Sequence, residues 1–146
     1  KQLGVVVFGK QAEQYASLFP FPIYPMNYVS NEKELVDIYN AVDLYVTPSL
    51  QDNLPNTIVE AMACGIPCVG FNVGGIPQMI DHLHNGYVAE YQSAKDLANG
   101  IRWTLTEGEY DNLSEEACRK ALSSYSESII SMRYIDIYNK ITGSHA

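Results

Sequence analysis

Five short apolar runs, separated by segments whose apolar residues recur every three or four positions, set the plan of this chain. The runs are Leu3–Phe8, Ile23-Tyr24, Val42–Val46, Pro67–Phe71 and Tyr87–Ala89, each bounded by Gly, Pro or Asn. Short, rich in Val and aromatics and closed by turn residues, they read as strands. Proline punctuates them. Ile23-Tyr24 should stop at Pro25 and Val42–Val46 at Thr47-Pro48, because proline cannot donate to a ladder. The intervening pattern is helical. Gln11–Phe19 is predicted as a helix broken by Pro20 and Pro22. Asn31, with Glu34 three residues on, opens another helix with Leu35, Ile38, Tyr39 and Val42 on one face. Ser93 caps a helix carrying Ala94, Leu97, Ile101 and Leu105. A further helix starts near Ser114 and runs through Ala117, Ala121 and Leu122. The last, about 126–141, bears Ile130, Tyr134, Ile137, Tyr138 and Ile141 on a single stripe.

The densest stretch is PSLQDNLPNTIVEAMACGIPCVGFNVGGIPQMI, Pro48 to Ile80. Gln51–Asn56 holds Asp, two Asn and Pro, which is loop chemistry. Thr57 reads as a helix N-cap, and Glu60 three residues later completes a capping box. Ile58, Val59, Ala61, Met62, Ala63 and Cys64 make that helix apolar almost all round, so it should be buried. Gly65 ends it. Gly74-Gly75 gives a tight turn, and Pro77 sits where a first helical turn tolerates it. A polar loop feeding the N-terminus of a buried helix is a ready anion site, since backbone N–H groups and the positive dipole end both favour phosphate.

Strands alternating with helices predict an α/β fold, a Rossmann-like three-layer domain with a parallel β-sheet flanked by helices. Ligands of such sheets sit beyond the carboxyl ends of the strands. Gly9-Lys10, Pro25–Tyr28, Pro48–Asn56 and Phe71–Gly75 all follow strands and are expected on one rim. A chain of 146 residues fits one domain, 1–146, with a proper core.

Composition changes this picture little. Apolar residues are 47% and charged residues 18%, as in ordinary globular proteins. The formal charge of −8 argues against a nucleic-acid or anionic-membrane surface, both of which require a basic face. Cys64, Cys68 and Cys118 read as small hydrophobes in a reducing compartment. No signal peptide and no apolar run near the ~18 residues of a membrane helix is present. His82 and His84 lack a third ligand and read as surface residues beside a turn. Trp103 and the eleven tyrosines read as core and rim packing.

The run DNLPNTIVEAMACGIPCV followed by GGIPQMI resembles the donor-binding signature of the retaining nucleotide-sugar glycosyltransferases of group 1, which have the GT-B fold. That signature pairs two carboxylates eight positions apart, then EAMACGxPVV and GG-x-P-E. Here Asp52 stands at the first carboxylate position, one methylene shorter than the usual Glu, and Glu60 at the second. Gln78 replaces the final Glu. The resemblance implies that Glu60 holds the ribose hydroxyls and Asp52 the hydroxyls of the donor sugar, and these two are the catalytic candidates. It implies that Asn53, Leu54, Asn56 and Thr57 meet sugar and phosphates through backbone N–H groups. Read without it, Glu60 is a capping-box partner and Asp52 a turn residue. Gly9 and Lys10 complete the donor-binding set; for Lys10, a phosphate contact stands against the plainer reading of a solvated charge.

The resemblance further implies one half of a GT-B enzyme, the C-terminal donor-binding domain, without its N-terminal acceptor domain. The chain is therefore expected to be an inactive fragment, with a dimer through its exposed surface as a further expectation. The implied reaction is glycosyl transfer from a UDP- or GDP-sugar, with no metal or other cofactor. Its implied setting is the cytoplasm, with the inner membrane face, reached through the absent domain, as a further expectation, in polysaccharide or glycolipid synthesis. The alternative is a non-catalytic nucleotide-sugar-binding or assembly module. A receiver domain would need an acidic pair after its first strand, where Phe8-Gly9-Lys10 stands. A dinucleotide-binding module would need G-x-G-x-x-G at its first turn, which Gly9-Lys10-Gln11-Ala12 does not supply.

Overall fold

The computed structural model describes residues 3–8, 12–15, 18–26 and 28–143. The chain divides into two compact units, 1–42 and 43–146, which are taken in turn.

In the first unit, β1 (Val5–Phe8) pairs in parallel with β2 (Ile23–Met26), in the register Val5–Ile23 to Phe8–Met26. β2 runs through Pro25 instead of stopping before it. Within a two-stranded ladder one side of each strand carries no partner, so the missing N–H costs nothing when it faces that side. Where a helix is expected over Gln11–Phe19, the described residues hold a 3-10 turn, Ala12–Tyr15, and bends at Leu18–Phe21, and the rest of that span lies outside the described residues. Helix α1 (Glu32–Asn40) starts where the sequence placed it. The Asn31 side chain accepts from the backbone N–H groups of Lys33 and Glu34, at 2.9 and 3.3 Å. Its buried residues are Ile38 and Tyr39, and Phe8 meets the Tyr39 ring edge-on with centroids 5.9 Å apart.

The second unit is built on the parallel sheet β3-β4-β5: β3 (Tyr45–Thr47), β4 (Cys68–Phe71) and β5 (Gly86–Ala89). β3 ends at Thr47 as expected but begins at Tyr45, because Val42 is still held by α1, donating to the Tyr39 carbonyl. All four residues of β4 are buried, as suits a central strand with neighbours on both sides. Helix α2 (Asn56–Ala63) links β3 to β4, and the short α3 (Ile76–Met79), with Pro77 in its first turn, links β4 to β5.

Helices α4 (Ala94–Thr106), α5 (Tyr110–Tyr125) and α6 (Glu127–Thr142) follow. The Ser93 hydroxyl caps α4 by accepting from the Asp96 N–H at 3.2 Å. The deepest residues of α4 are Gly100 and Thr104, whereas Ala94 and Leu105 are exposed. The aromatic ring of Tyr87 occupies the space where a Gly100 side chain would stand, and so draws that face inward. α5 begins four residues before Ser114 and buries Leu113, Ala117 and Ala121 against α2, leaving Leu122 exposed.

α2 supplies the centre of the core. Ile58, Ala61 and Met62 are fully buried, and full burial of a large apolar side chain contributes about 1.5–3 kcal/mol. Its end is sharply defined. Gly65 takes φ 73° and donates to the Met62 carbonyl, while Ile66 donates to that of Ala61, the bonding pattern of a Schellman cap. Cys68 is fully buried and donates weakly to the Ile66 and Ile58 carbonyls, and burial pushes its thiol far up; Cys64 and Cys118 are half-buried. All three thiols are free. No described helix is long and apolar enough to cross a membrane.

The terminal helix differs from every other. None of α6 is buried, and Tyr134, Ile137, Tyr138 and Ile141 are 59, 52, 62 and 76% exposed. Its stripe therefore does not complete the core of this unit.

Candidate functional site at the β3–α2 junction

β3 delivers the chain to the site. Tyr45 and Thr47, two apart on a strand, point to one face. The Thr47 hydroxyl donates to Ser49 at 3.1 Å, closing the strand into the polar loop. The loop then runs through Asp52, half-buried, and the exposed Asn53 and Leu54 to Pro55.

The start of α2 corrects the sequence reading. Thr57 is not its N-cap and Glu60 is not the partner in a capping box. The cap is Pro55, in extended conformation, and the helix begins at Asn56 with no side chain capping its first turn. The Ile58 N–H closes onto the Pro55 carbonyl at 3.1 Å. Thr57 lies within the first turn, where its hydroxyl accepts a 2.8 Å hydrogen bond from the phenol of Tyr45. The cap residue itself places no side-chain hydrogen bond over the positive dipole end of the helix.

Tyr45 also lies within the electrostatic reach of both carboxylates. Burial raises its phenol above the ordinary value, the Thr57 bond opposes this, and Cys68, Glu60 and Asp52 add smaller upward pushes. Asp52, on the loop, and Glu60, one helical turn beyond Asn56, thus act on the same hydroxyl. Sequence reading took the tyrosines together as packing and missed this one. The available signal was the alternation in DLYVTPS, which puts Tyr45 and Thr47 on the same side, immediately before the loop.

The loop after β4 meets the loop after β3. A Cβ on Gly74, which takes φ 55°, would land on the Asp52 carbonyl oxygen, and one on Gly75 would land on that of Asn53. The two glycines allow backbone to lie flush on backbone, which no other residue permits. Gln78 follows on α3, exposed. Gly9 and Lys10 lie outside the described residues.

The histidines stand elsewhere. His82 and His84 are exposed, and His82 Nδ1 accepts from the Val88 N–H at 3.1 Å. Among the described residues no group of three or more His, Cys, Asp or Glu is arranged to hold a metal ion.

Comparison with known proteins places this geometry. Residues 26–121 match the family described as glycosyl transferases group 1. A Campylobacter jejuni relative, N,N'-diacetylbacillosaminyl-diphospho-undecaprenol alpha-1,3-N-acetylgalactosaminyltransferase, is 30% identical over 117 residues, 80% of this chain and 31% of that protein. The N-acetyl-alpha-D-glucosaminyl L-malate synthase of Bacillus anthracis is 29% identical over 76% of the chain and 29% of its own length. The chain thus spans about a third of these relatives. Among solved structures, Anabaena HepE in complex with UDP superposes with a TM-score of 0.81 at 18% identity, covering 94% of this chain and 41% of that one. Sucrose-phosphate synthase from Thermosynechococcus elongatus gives 0.81 at 20% identity over 99% and 39%. The fold is that of GT-B glycosyltransferases, α/β with parallel sheets flanked by helices. With the family match running from β2 into α5 and taking in the whole β3–α2 junction, the chain belongs to the group 1 glycosyl transferases.

Proposed function

We propose that this chain is the donor-binding half of a retaining glycosyltransferase that takes its glycosyl group from a nucleoside diphosphate sugar. The observation that carries this reading is Tyr45, whose phenol bonds Thr57 and feels both Asp52 and Glu60 beside a helix start that no side chain caps. A carboxylate pair beside a dipole end suits a ligand with hydroxyls at one end and a diphosphate next to them. Glu60 holds the ribose, Asp52 the sugar hydroxyls, and the backbone of Asn53–Thr57 the phosphates. Transfer passes through an oxocarbenium-like state as the nucleoside diphosphate leaves. The first turn of α2 stabilises the charge that develops on the departing phosphate, a preorganised dipole taking the part that a metal plays elsewhere.

UDP is the carrier we favour, with GDP next; the UDP and UDP-glucose complexes of HepE support the first. The undecaprenol-linked substrate in the name of the Campylobacter relative supports polysaccharide or glycolipid synthesis in the cytoplasm, at the inner face of a membrane. A second, acceptor-binding domain is part of this reading, since both substrates must be held in one cleft. Residues 1–146 alone should then turn over no nucleotide sugar.

The direct test is Glu60→Gln in the full-length protein, with UDP binding followed by calorimetry. The substitution keeps the shape and removes the charge, and affinity should fall about tenfold or more, equivalent to about 1.4 kcal/mol. Unchanged affinity with a lowered melting point would make Glu60 a purely structural residue.

A further inference from the structure

The stretch Leu50–Leu54 lies in no helix or strand, yet on the reading above it carries the sugar-facing carboxylate. A ligand held by a slack loop costs the ordering of that loop at every binding event. The Gly74-Gly75 turn fits against the Asp52 and Asn53 carbonyls by shape. A directed hold comes from Tyr91, in the turn after β5. Its hydroxyl donates to the Leu50 carbonyl at 3.2 Å, across 41 positions of sequence, and accepts from Gln92 Nε2 at 3.3 Å.

The turn that carries Tyr91 is itself fixed. The Ser93 N–H donates to the Glu90 carbonyl at 3.1 Å, and the Glu90 N–H donates to Asp96 in the first turn of α4 at 2.8 Å. Gln92 takes φ 61°, a left-handed conformation that a residue with a side chain adopts only when its surroundings impose it. The Tyr91 ring is 46% exposed, so it adds little to the core. A rigid turn thus holds out an aromatic side chain whose long-range polar contact is the carbonyl two residues before Asp52.

We infer that Tyr91 is a positioning residue for the donor loop, fixing the Leu50–Asp52 backbone so that Asp52 and Asn53 are presented to the donor. The inference rests on the nucleotide-sugar reading of the site. Tyr91 acts through its hydrogen bond to the Leu50 carbonyl, two residues before Asp52.

The test is Tyr91→Phe in the full-length protein, which removes one oxygen from a half-exposed ring. Two quantities are read: amide hydrogen exchange over residues 50–54, and UDP affinity by calorimetry. Tyr125→Phe is the control, since its hydroxyl makes an equally long bond to the Gln78 carbonyl. Faster exchange over 50–54 with about three- to tenfold weaker UDP binding, neither seen in the control, is the expected result. Unchanged exchange in Tyr91→Phe overturns the inference, as does faster exchange with undiminished affinity, or equal losses in Tyr125→Phe. Wild-type protein that binds no nucleoside diphosphate overturns the proposed function itself, and the inference with it.

Discussion

Replacing Tyr45 by Phe removes one hydroxyl from a half-buried ring and leaves the Thr57 side chain without that donor. A lost intramolecular hydrogen bond of this kind costs about 1 kcal/mol. Urea unfolding should register this loss, and UDP binding should weaken alongside as the first turn of α2 loosens. Unchanged stability would mean that water replaces the phenol fully. Asp96 offers a pH-dependent counterpart. The Glu90 N–H, at 2.8 Å, and the Tyr87 hydroxyl, at 3.0 Å, hold its carboxyl below the ordinary carboxylate value. A carboxyl lowered on folding stabilises the protein above its unfolded value, and that gain is lost as pH falls through the lowered folded value. Asp96→Asn should therefore melt below wild type at neutral pH, with the gap closing as the medium is acidified. A gap constant across the range would assign the effect to geometry instead of charge.

At the scale of elements, α2 is the piece most exactly built, and its two ends are built by different means. Its C-terminus is local: Gly65 at φ 73° followed by the two Schellman bonds. Gly65→Ala should cost about 1–2 kcal/mol for the left-handed conformation alone. The new methyl would also stand 2.8 Å from the Ser114 hydroxyl on α5, which adds to the loss if that side chain cannot turn away. Chemical denaturation measures both together. A variant as stable as wild type would show that the cap does not hold this helix end. The N-terminus is tertiary instead: a proline cap, with the Thr57 hydroxyl of the first turn bonded by Tyr45, a strand residue eleven positions before α2.

At the scale of the molecule, α6 stands apart. Helix α6 keeps Met132, Tyr134, Ile135, Ile137, Tyr138 and Ile141 at least half exposed, too much apolar surface on one helix to be scattered residues. Tyr134→Glu with Tyr138→Glu should leave the melting point of residues 1–146 nearly unchanged, because both rings already stand in solvent. A large drop would show instead that the helix folds back onto its own unit. Light scattering on the same pair of proteins tests self-association. A wild-type dimer that the variant loses would assign the face to a second copy, and monomers throughout would leave it to the acceptor domain of the proposed enzyme.

The sequence by itself determined the features that depend on neighbours along the chain. The Asn31 and Ser93 caps, the Gly65 stop and the existence of five strands are local patterns, and the structure has each of them, with the strand ends shifted by up to three residues. Failures follow from contacts that no local pattern records. β2 passes Pro25 because its ladder leaves one side free. The capping box at Thr57 is lost because α2 starts earlier, with Pro55 at the cap and Thr57 inside the first turn, where its hydroxyl bonds Tyr45. The tertiary structure alone decided that Tyr45 bonds Thr57 across twelve positions, that Gly74 and Gly75 lie on the Asp52–Asn53 backbone, and that Tyr91 reaches Leu50 from beyond β5. It also decided that the stripe of α6 stays in solvent, since a helical period fixes which residues share a face but not what that face meets.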